Sequence, residues 1–223
     1  MKKLFLALSL LGVIVFASAC SSVDEPVYSC NSDVNAWVKA NLSTIQQMDR
    51  NQWLQLGENV KRASFIAFTA KQKQLFWEQK IEEILVFDWN ANEKEHLERL
   101  LSMIKEHPQW FEDAYLRVES NRKEFEILTF KWADYARNQL GWSKDLVGNI
   151  IASGNRLIDK TGKMEVNGNL VTPKTYSESS CNCSKESDWC SSDWKCKNSK
   201  CEIKINACGT FWRHDCDGDC APW

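Results

Sequence analysis

The chain has 223 residues and a formal net charge of −2 at neutral pH. It has no stripe of Lys and Arg and no repeat of basic with aromatic residues, which excludes a nucleic-acid-binding protein held by phosphate neutralisation. Once a leader at the N-terminus is set aside, about 200 residues remain, enough for one domain with a real core and a small appendage.

The N-terminus has the pattern of a secretory signal peptide over residues 1–19. Lys2 and Lys3 precede an apolar run from Leu4 to Phe16, and Ala-Ser-Ala at positions 17–19 precedes Cys20. The run is too short for a permanent membrane span, which needs about 18 or more apolar residues. We therefore expect an exported protein that is not an integral membrane protein.

The junction before Cys20 fits two processing routes. Ala-x-Ala suits ordinary signal peptidase and a secreted product. Small residues directly before Cys20, with a polar stretch after it up to Glu25, resemble a bacterial lipobox and its tether, although Ala17 stands where that pattern usually has Leu. We favour lipidation of Cys20 and a cell-envelope lipoprotein, with residues 20–30 as the tether.

The ten cysteines divide the rest of the chain into two kinds of structure. Eight lie in the last 43 residues, and none lies between Asn31 and Ser180. The cysteine-free stretch is long enough to fold around an apolar core, whereas a segment of 43 residues rarely buries enough apolar surface without cross-links. Disulfides supply such cross-links, and an exported protein meets the oxidising conditions that they need.

Residues 31–157 are predicted to form an all-α domain of about six helices, because apolar residues recur at spacings of three and four. The first predicted helix runs from Asp33 to Met48. Asp49 and Thr69 are each followed by Gln three residues later, the capping-box pattern of a helix start. The helix after Thr69 is expected to present Lys80 to solvent.

Further helices follow in the same domain. Asn92, with Glu three residues later, is predicted to start one helix, and Pro108 fits the first position of a short one. A long helix is predicted over residues 119–140, and Ser143 is expected to cap the last.

Residues 158–180 are predicted to form a hairpin and a linker. Asn167-Gly168 lies between short runs that contain apolar residues, a pattern typical of a β-hairpin turn. The polar stretch 173–180 is the expected linker, and we predict that the parts on either side fold independently.

No segment carries a convincing catalytic motif, so we expect a protein that is not an enzyme and has no cofactor. Paired carboxylates such as Glu82 and Glu83 are more typical of a solvated helix face than of acid–base catalysis. The seven tryptophans from Trp37 to Trp142 favour core packing over a ligand groove.

The cysteine spacing in the tail, residues 181–223, favours disulfides over a zinc site. Only the last pair has the spacing of a zinc knuckle. We therefore predict no metal and four disulfides of open connectivity, among Cys181, Cys183, Cys190, Cys196, Cys201, Cys208, Cys216 and Cys220. Segments 195–196 and 201–205 are expected to pair as a short β-hairpin, with little other regular structure.

Three motifs stand among these cysteines: Ser-Asp-Trp-Cys190, Cys208-Gly-Thr-Phe-Trp and Cys216-Asp-Gly-Asp-Cys220. With the cysteine frame around them, they resemble the bacteriocin fulvocin C-related proteins over the last 43 residues, with the final pair more widely spaced. Fulvocin C is a small, disulfide-rich secreted bacteriocin that kills related bacteria. The resemblance implies an exported bacteriocin-like protein or precursor, with the tail as the active or recognition module.

Five aromatic residues of the tail form the candidate binding patch, because aromatic anchors dominate interface energetics: Trp189, Trp194, Phe211, Trp212 and Trp223. The tail has six basic and seven acidic residues, which argues against electrostatic attraction to anionic lipid alone. The expected partner is a receptor or membrane of competing bacteria. The alternative is a non-toxic surface lipoprotein whose cysteine-rich tail is a binding module.

Overall fold

The computed structural model describes residues 25–165 and 181–223. The predicted signal peptide, Cys20, the Asn167-Gly168 turn and the linker 173–180 lie outside the described residues. Within the described ranges, no helix is both long enough and apolar enough to cross a membrane.

The described part of the domain is all helical, as predicted. Two 3₁₀ turns, Pro108–Phe111 and Tyr115–Arg117, join the sixth and seventh helices. The helices are α1 Ser32–Ala40, α2 Leu42–Ile45, α3 Arg50–Leu54, α4 Glu58–Ala67, α5 Ala70–Leu85, α6 Ala91–Glu106, α7 Glu119–Asn138 and α8 Lys144–Ile151.

Local capping signals gave several correct helix starts. Asp49 and Thr69 both form the predicted capping boxes, and the Ser143 side chain accepts from the backbone N–H of Leu146 at 3.0 Å. The predicted start at Asn92 is wrong, because α6 begins two residues earlier with Asn90 as its N-cap. Both asparagines have Glu three residues later, so the pattern alone does not choose between them.

The first predicted helix is interrupted at Asn41. Its side-chain amide donates to the backbone oxygen of Trp37 at 2.8 Å, and α1 ends one residue earlier. Asn side chains compete in this way with the backbone pairing of a helix interior. α2 then continues over a single turn to Ile45.

Lys80 is buried, contrary to the expectation that it faces solvent. Its Nζ donates to the backbone oxygen of Asn149 at 2.6 Å and to that of Ser153. These carbonyls lie at the C-terminal end of α8, where helix carbonyls lack partners within the helix. Lys80 therefore ties α5 to the end of α8.

The tail contains four short strands in two separate antiparallel pairs. β1 Trp194–Lys197 pairs with β4 Asp219–Pro222, and β2 Lys204–Cys208 pairs with β3 His214–Cys216. The predicted hairpin of 195–196 with 201–205 is therefore wrong. The segment after β1 turns away, because β1 takes its partner from the C-terminal end of the chain.

All eight tail cysteines are in disulfides, as predicted. The pairs are Cys181–Cys201, Cys183–Cys196, Cys190–Cys220 and Cys208–Cys216. The last closes the β2–β3 hairpin, and two others end on Cys196 and Cys220, which lie opposite each other in β1 and β4. The mainly helical chain with a disulfide-rich tail is thus confirmed.

Candidate binding site of the tail

The five tail aromatics do not form one exposed patch. Phe211 and Trp212 are buried, with 0% and 4% of their surface exposed, so the expectation that they are available for binding is wrong. Trp189 is half-buried, whereas Trp194 and Trp223 are 41% and 75% exposed. Only part of the predicted patch therefore remains on the surface.

Phe211 and Trp212 are directed inward by an unusual turn. It follows Gly209, whose φ is 67°, and both aromatic residues also have positive φ, 51° and 55°. Bulky residues rarely adopt this region, which costs about 1–2 kcal/mol per residue. Burial of two large aromatic side chains, worth about 1.5–3 kcal/mol for a Phe, offsets that strain.

Trp212 packs inside the helical core. Its ring lies 4.9 Å from that of Phe65 and 5.8 Å from that of Trp53, and its Nε1 donates to the backbone oxygen of Ala152 at 2.8 Å. A Cβ at Gly154 would lie 2.5 Å from Trp53 and 2.6 Å from Trp212. A side chain at residue 154 would therefore collide with the edges of two buried indole rings, which favours glycine there.

Buried cations add polar links beside these rings. The side chain of Arg213 is fully buried and donates to the Asp113 carboxylate at 3.0 Å and to the Glu112 backbone oxygen at 3.1 Å. Lys73 of α5 also reaches Asp113, at 3.2 Å. From α4, Arg62 donates to the backbone oxygen of Ala207 at 3.2 Å. These contacts attach the tail to the segment between the two 3₁₀ turns and to α4.

One exposed part of the tail, which we call the tryptophan edge, consists of Trp194, Lys195 and Trp223. Trp194 pairs with Pro222 across β1 and β4, so the alternation of side chains places Trp194 and the following Trp223 on opposite faces of this strand pair. Trp223 Nε1 donates to the backbone oxygen of Ser192 at 3.1 Å, and Lys195 Nζ lies 5.4 Å from the Trp223 ring centre. Two disulfides end in these strands, so the edge is held in a fixed shape.

A second exposed feature is a groove of about 560 Å³ between α7 and the tail, which we call the α7–tail groove. On the α7 side it contains Ile127 and Phe130, which are 52% and 68% exposed. On the tail side it contains Glu186, Trp189 and His214. Sequence reasoning missed this groove, since its two walls lie far apart in the chain.

His214 closes the inner end of the α7–tail groove. It is 3% exposed, and its Nδ1 makes no hydrogen bond. Burial, with the charges of Arg122 and Arg213 nearby, lowers the pKa of His214 to about 4. The imidazole is therefore neutral at neutral pH. Burial also raises the pKa of Glu126, which lies in the same groove, and the charge of Glu186 adds to that effect.

Other polar groups of the helical domain make structural contacts. The ring of His96 stacks 4.7 Å from that of Trp132 and bonds to the backbone oxygen of that residue, and burial lowers its pKa. Glu83, one of the paired carboxylates, binds Arg50 at 3.2 Å. Cys183, Cys190 and Cys196 lie close together, but each is in a disulfide.

No family model matches the chain, and no match was found among curated proteins or solved structures. The resemblance to the fulvocin C-related proteins accordingly rests on the sequence motifs and stays a prediction. The structure does give one of those motifs a physical role. Cys208-Gly-Thr-Phe-Trp is the segment that turns two aromatic rings into the helical core.

Proposed function

We propose that the chain is an exported bacteriocin-like protein that recognises a surface component of competing bacteria through its tail. The main support for the proposal is the exposure of the tryptophan edge. Exposed indole rings, a lysine over one of them and a frame fixed by disulfides are features of a preorganised aromatic binding surface. Four disulfides and the signal-peptide pattern support export.

The buried part of the tail argues for action by the whole protein. Phe211, Trp212 and Arg213 pack against the helical domain and would become exposed if the tail were released. The helical domain is then a carrier that presents the tryptophan edge. Processing at Cys20 to a lipid-anchored form remains part of the proposal, and mass spectrometry of the mature N-terminus tests it.

A growth-inhibition assay with purified, fully oxidised protein tests the proposal on a panel of related bacterial strains. We expect inhibition by the whole protein, with Trp194→Ser and Trp223→Ser each weakening it at least about tenfold, as for interface anchors worth about 1.4 kcal/mol or more. Val86→Ser is the matched control, because Val86 is 79% exposed on the helical domain, at the end of α5. Inhibition that survives both tryptophan substitutions would refute a role for the tryptophan edge.

The second candidate is a non-toxic surface lipoprotein that binds its partner in the α7–tail groove. This candidate is favoured by exposed Phe130 and Ile127 beside half-buried Trp189, since binding grooves combine apolar walls with a few polar groups. Phe130→Ser separates the two functions. Loss of cell-surface binding in this variant, with no growth inhibition by the unmodified protein, would favour the groove and the lipoprotein.

A further inference from the structure

Three potential metal ligands from distant parts of the chain meet at the inner end of the α7–tail groove. Glu126 belongs to α7, Glu186 to the loop between Cys183 and Cys190, and His214 to β3. One ring nitrogen and one oxygen from each carboxylate lie within 4.8 Å of one another. The three residues therefore form a compact cluster of one nitrogen and two oxygen donors.

The buried histidine is the observation that points to a ligand. His214 Nδ1 makes no hydrogen bond and lies 3.9 Å from Glu186 Oε2. Buried polar atoms are almost always paired, so one without a partner requires an explanation. The ring is also held in place, because it packs 5.9 Å from the ring of Phe125 and leaves no room for a Cβ at Gly209.

We propose that Glu126, Glu186 and His214 bind one divalent transition-metal ion, with Zn²⁺ as the best match. Zinc takes imidazole nitrogen and carboxylate oxygen at about 2.0–2.2 Å, so ligand atoms around a tetrahedral ion lie roughly 3.4 Å apart. The present separations, all within 4.8 Å, need a contraction of at most about 1.4 Å. Three protein ligands leave one position for water, which would face the groove.

The two carboxylates of the cluster would balance the charge of a divalent ion, against the positive charges of Arg122 and Arg213 nearby. Two carboxylates in close approach repel each other, and Arg122 Nη1 lies 3.4 Å from Glu186 Oε2. A divalent ion would balance the charge of the two carboxylates in place of the Arg122 guanidinium, which it would displace.

The bound ion would join α7 to the tail by a route separate from Phe211 and Trp212. This link would depend on the disulfides, because Cys183 and Cys190, at the two ends of the loop that carries Glu186, are fixed by the bridges to Cys196 and Cys220. The proposal is independent of whether the protein kills bacteria.

Isothermal titration of the oxidised full chain with Zn²⁺ tests the site. We expect one ion per chain, and affinity at least about tenfold lower in Glu126→Gln and in Glu186→Gln, since even outer-shell changes at metal sites reach 10–100-fold. Glu124→Gln is the matched control, because Glu124 is an exposed carboxylate on the same helix. Arg122→Gln should raise the affinity by removing the competing cation.

Cobalt identifies the donor atoms. The absorption spectrum of the Co²⁺-loaded chain should lack the thiolate charge-transfer band, because the donors are nitrogen and oxygen. Near-ultraviolet circular dichroism checks that each variant retains its tertiary structure. The absence of Zn²⁺ binding, equal affinity in both glutamate variants and the wild type, or a thiolate band would each overturn the proposal.

Discussion

The helical domain and the tail are stabilised by different interactions, yet they share one apolar core. The domain buries aliphatic and aromatic side chains along its helices, whereas the tail is cross-linked by four disulfides around small clusters made mostly of cysteine. The two largest buried apolar side chains of the tail, Phe211 and Trp212, belong to the core of the domain. The disulfides fix the shape of the tail, and these two rings fix its position.

Because of the shared core, the helical domain is not fully independent of the tail. The absence of cysteine from 31 to 180 predicted a helical domain whose stability does not depend on redox state. In agreement with this prediction, no disulfide involves the described residues of the domain. Its core nevertheless includes Trp212, and Lys73 binds the same carboxylate as Arg213. Loss of the tail should therefore leave the helices formed but the core incomplete.

Reduction of the four disulfides should have the largest effect. Removal of one native disulfide from a small secreted domain costs about 2–5 kcal/mol, comparable with the whole stability of such a module. We expect the tail to unfold, the far-ultraviolet helix signal to persist, and the melting temperature of the helical domain to fall, because Phe211 and Trp212 leave its core. Circular dichroism with and without reductant measures this.

Cysteine counting provides the control for that experiment. Denatured, unreduced protein should show none of the eight tail cysteines as thiols. If reduction unfolds the tail without lowering the melting temperature of the helical domain, the shared core contributes nothing to its stability, and the two parts are independent after all.

Trp212→Ala tests the shared core without touching a disulfide. Truncation of a buried tryptophan costs about 3–5 kcal/mol, and here it also leaves the backbone oxygen of Ala152 without its indole donor. Trp223→Ala is the matched control, because this tryptophan is 75% exposed and its truncation should cost about 0.5 kcal/mol or less. Urea unfolding of both variants gives the comparison, and equal losses would contradict the assigned roles.

The sequence predicted those features that depend on neighbouring residues. The capping boxes at Asp49 and Thr69 and the cap at Ser143 involve partners three residues away, so their chemistry is visible in a short window. The requirement for disulfides also followed, since a short segment with few aliphatic residues lacks another source of stability.

Features that depend on distant partners were not predictable in this way. The local sequence indicates a solvent-exposed Lys80, whereas in the folded chain its side chain contacts the end of α8. Phe211 and Trp212 looked exposed, because their burial partners lie in a different part of the chain. The strand pairing of Trp194 with Pro222 and the cluster around His214 likewise require the tertiary fold.

The charged link at Asp113 should contribute less than the aromatic contacts. Asp113→Asn removes the counter-charge of Arg213 and Lys73, whose side chains are buried, and we expect a loss of about 1–3 kcal/mol. This is below the loss for a fully buried pair because the Asp113 side chain is 54% exposed. Asp88→Asn, at an exposed position of the helical domain, is the control and should be neutral.

The pH dependence of the same variant tests whether charge is the cause. Burial acts to raise the pKa of Asp113, but the charges of Lys73 and Arg213 and their hydrogen bonds outweigh it and lower the pKa. A carboxyl whose folded pKa is lowered contributes stability above its unfolded pKa of about 3.9 and loses it as pH falls through the folded value. The difference in unfolding free energy between wild type and Asp113→Asn should thus be constant above about pH 5 and shrink below about pH 4. A difference that persists undiminished at lower pH would show that the side chain acts through packing or neutral hydrogen bonds, and the tail would then be held to the helical domain without a contribution from this ion pair.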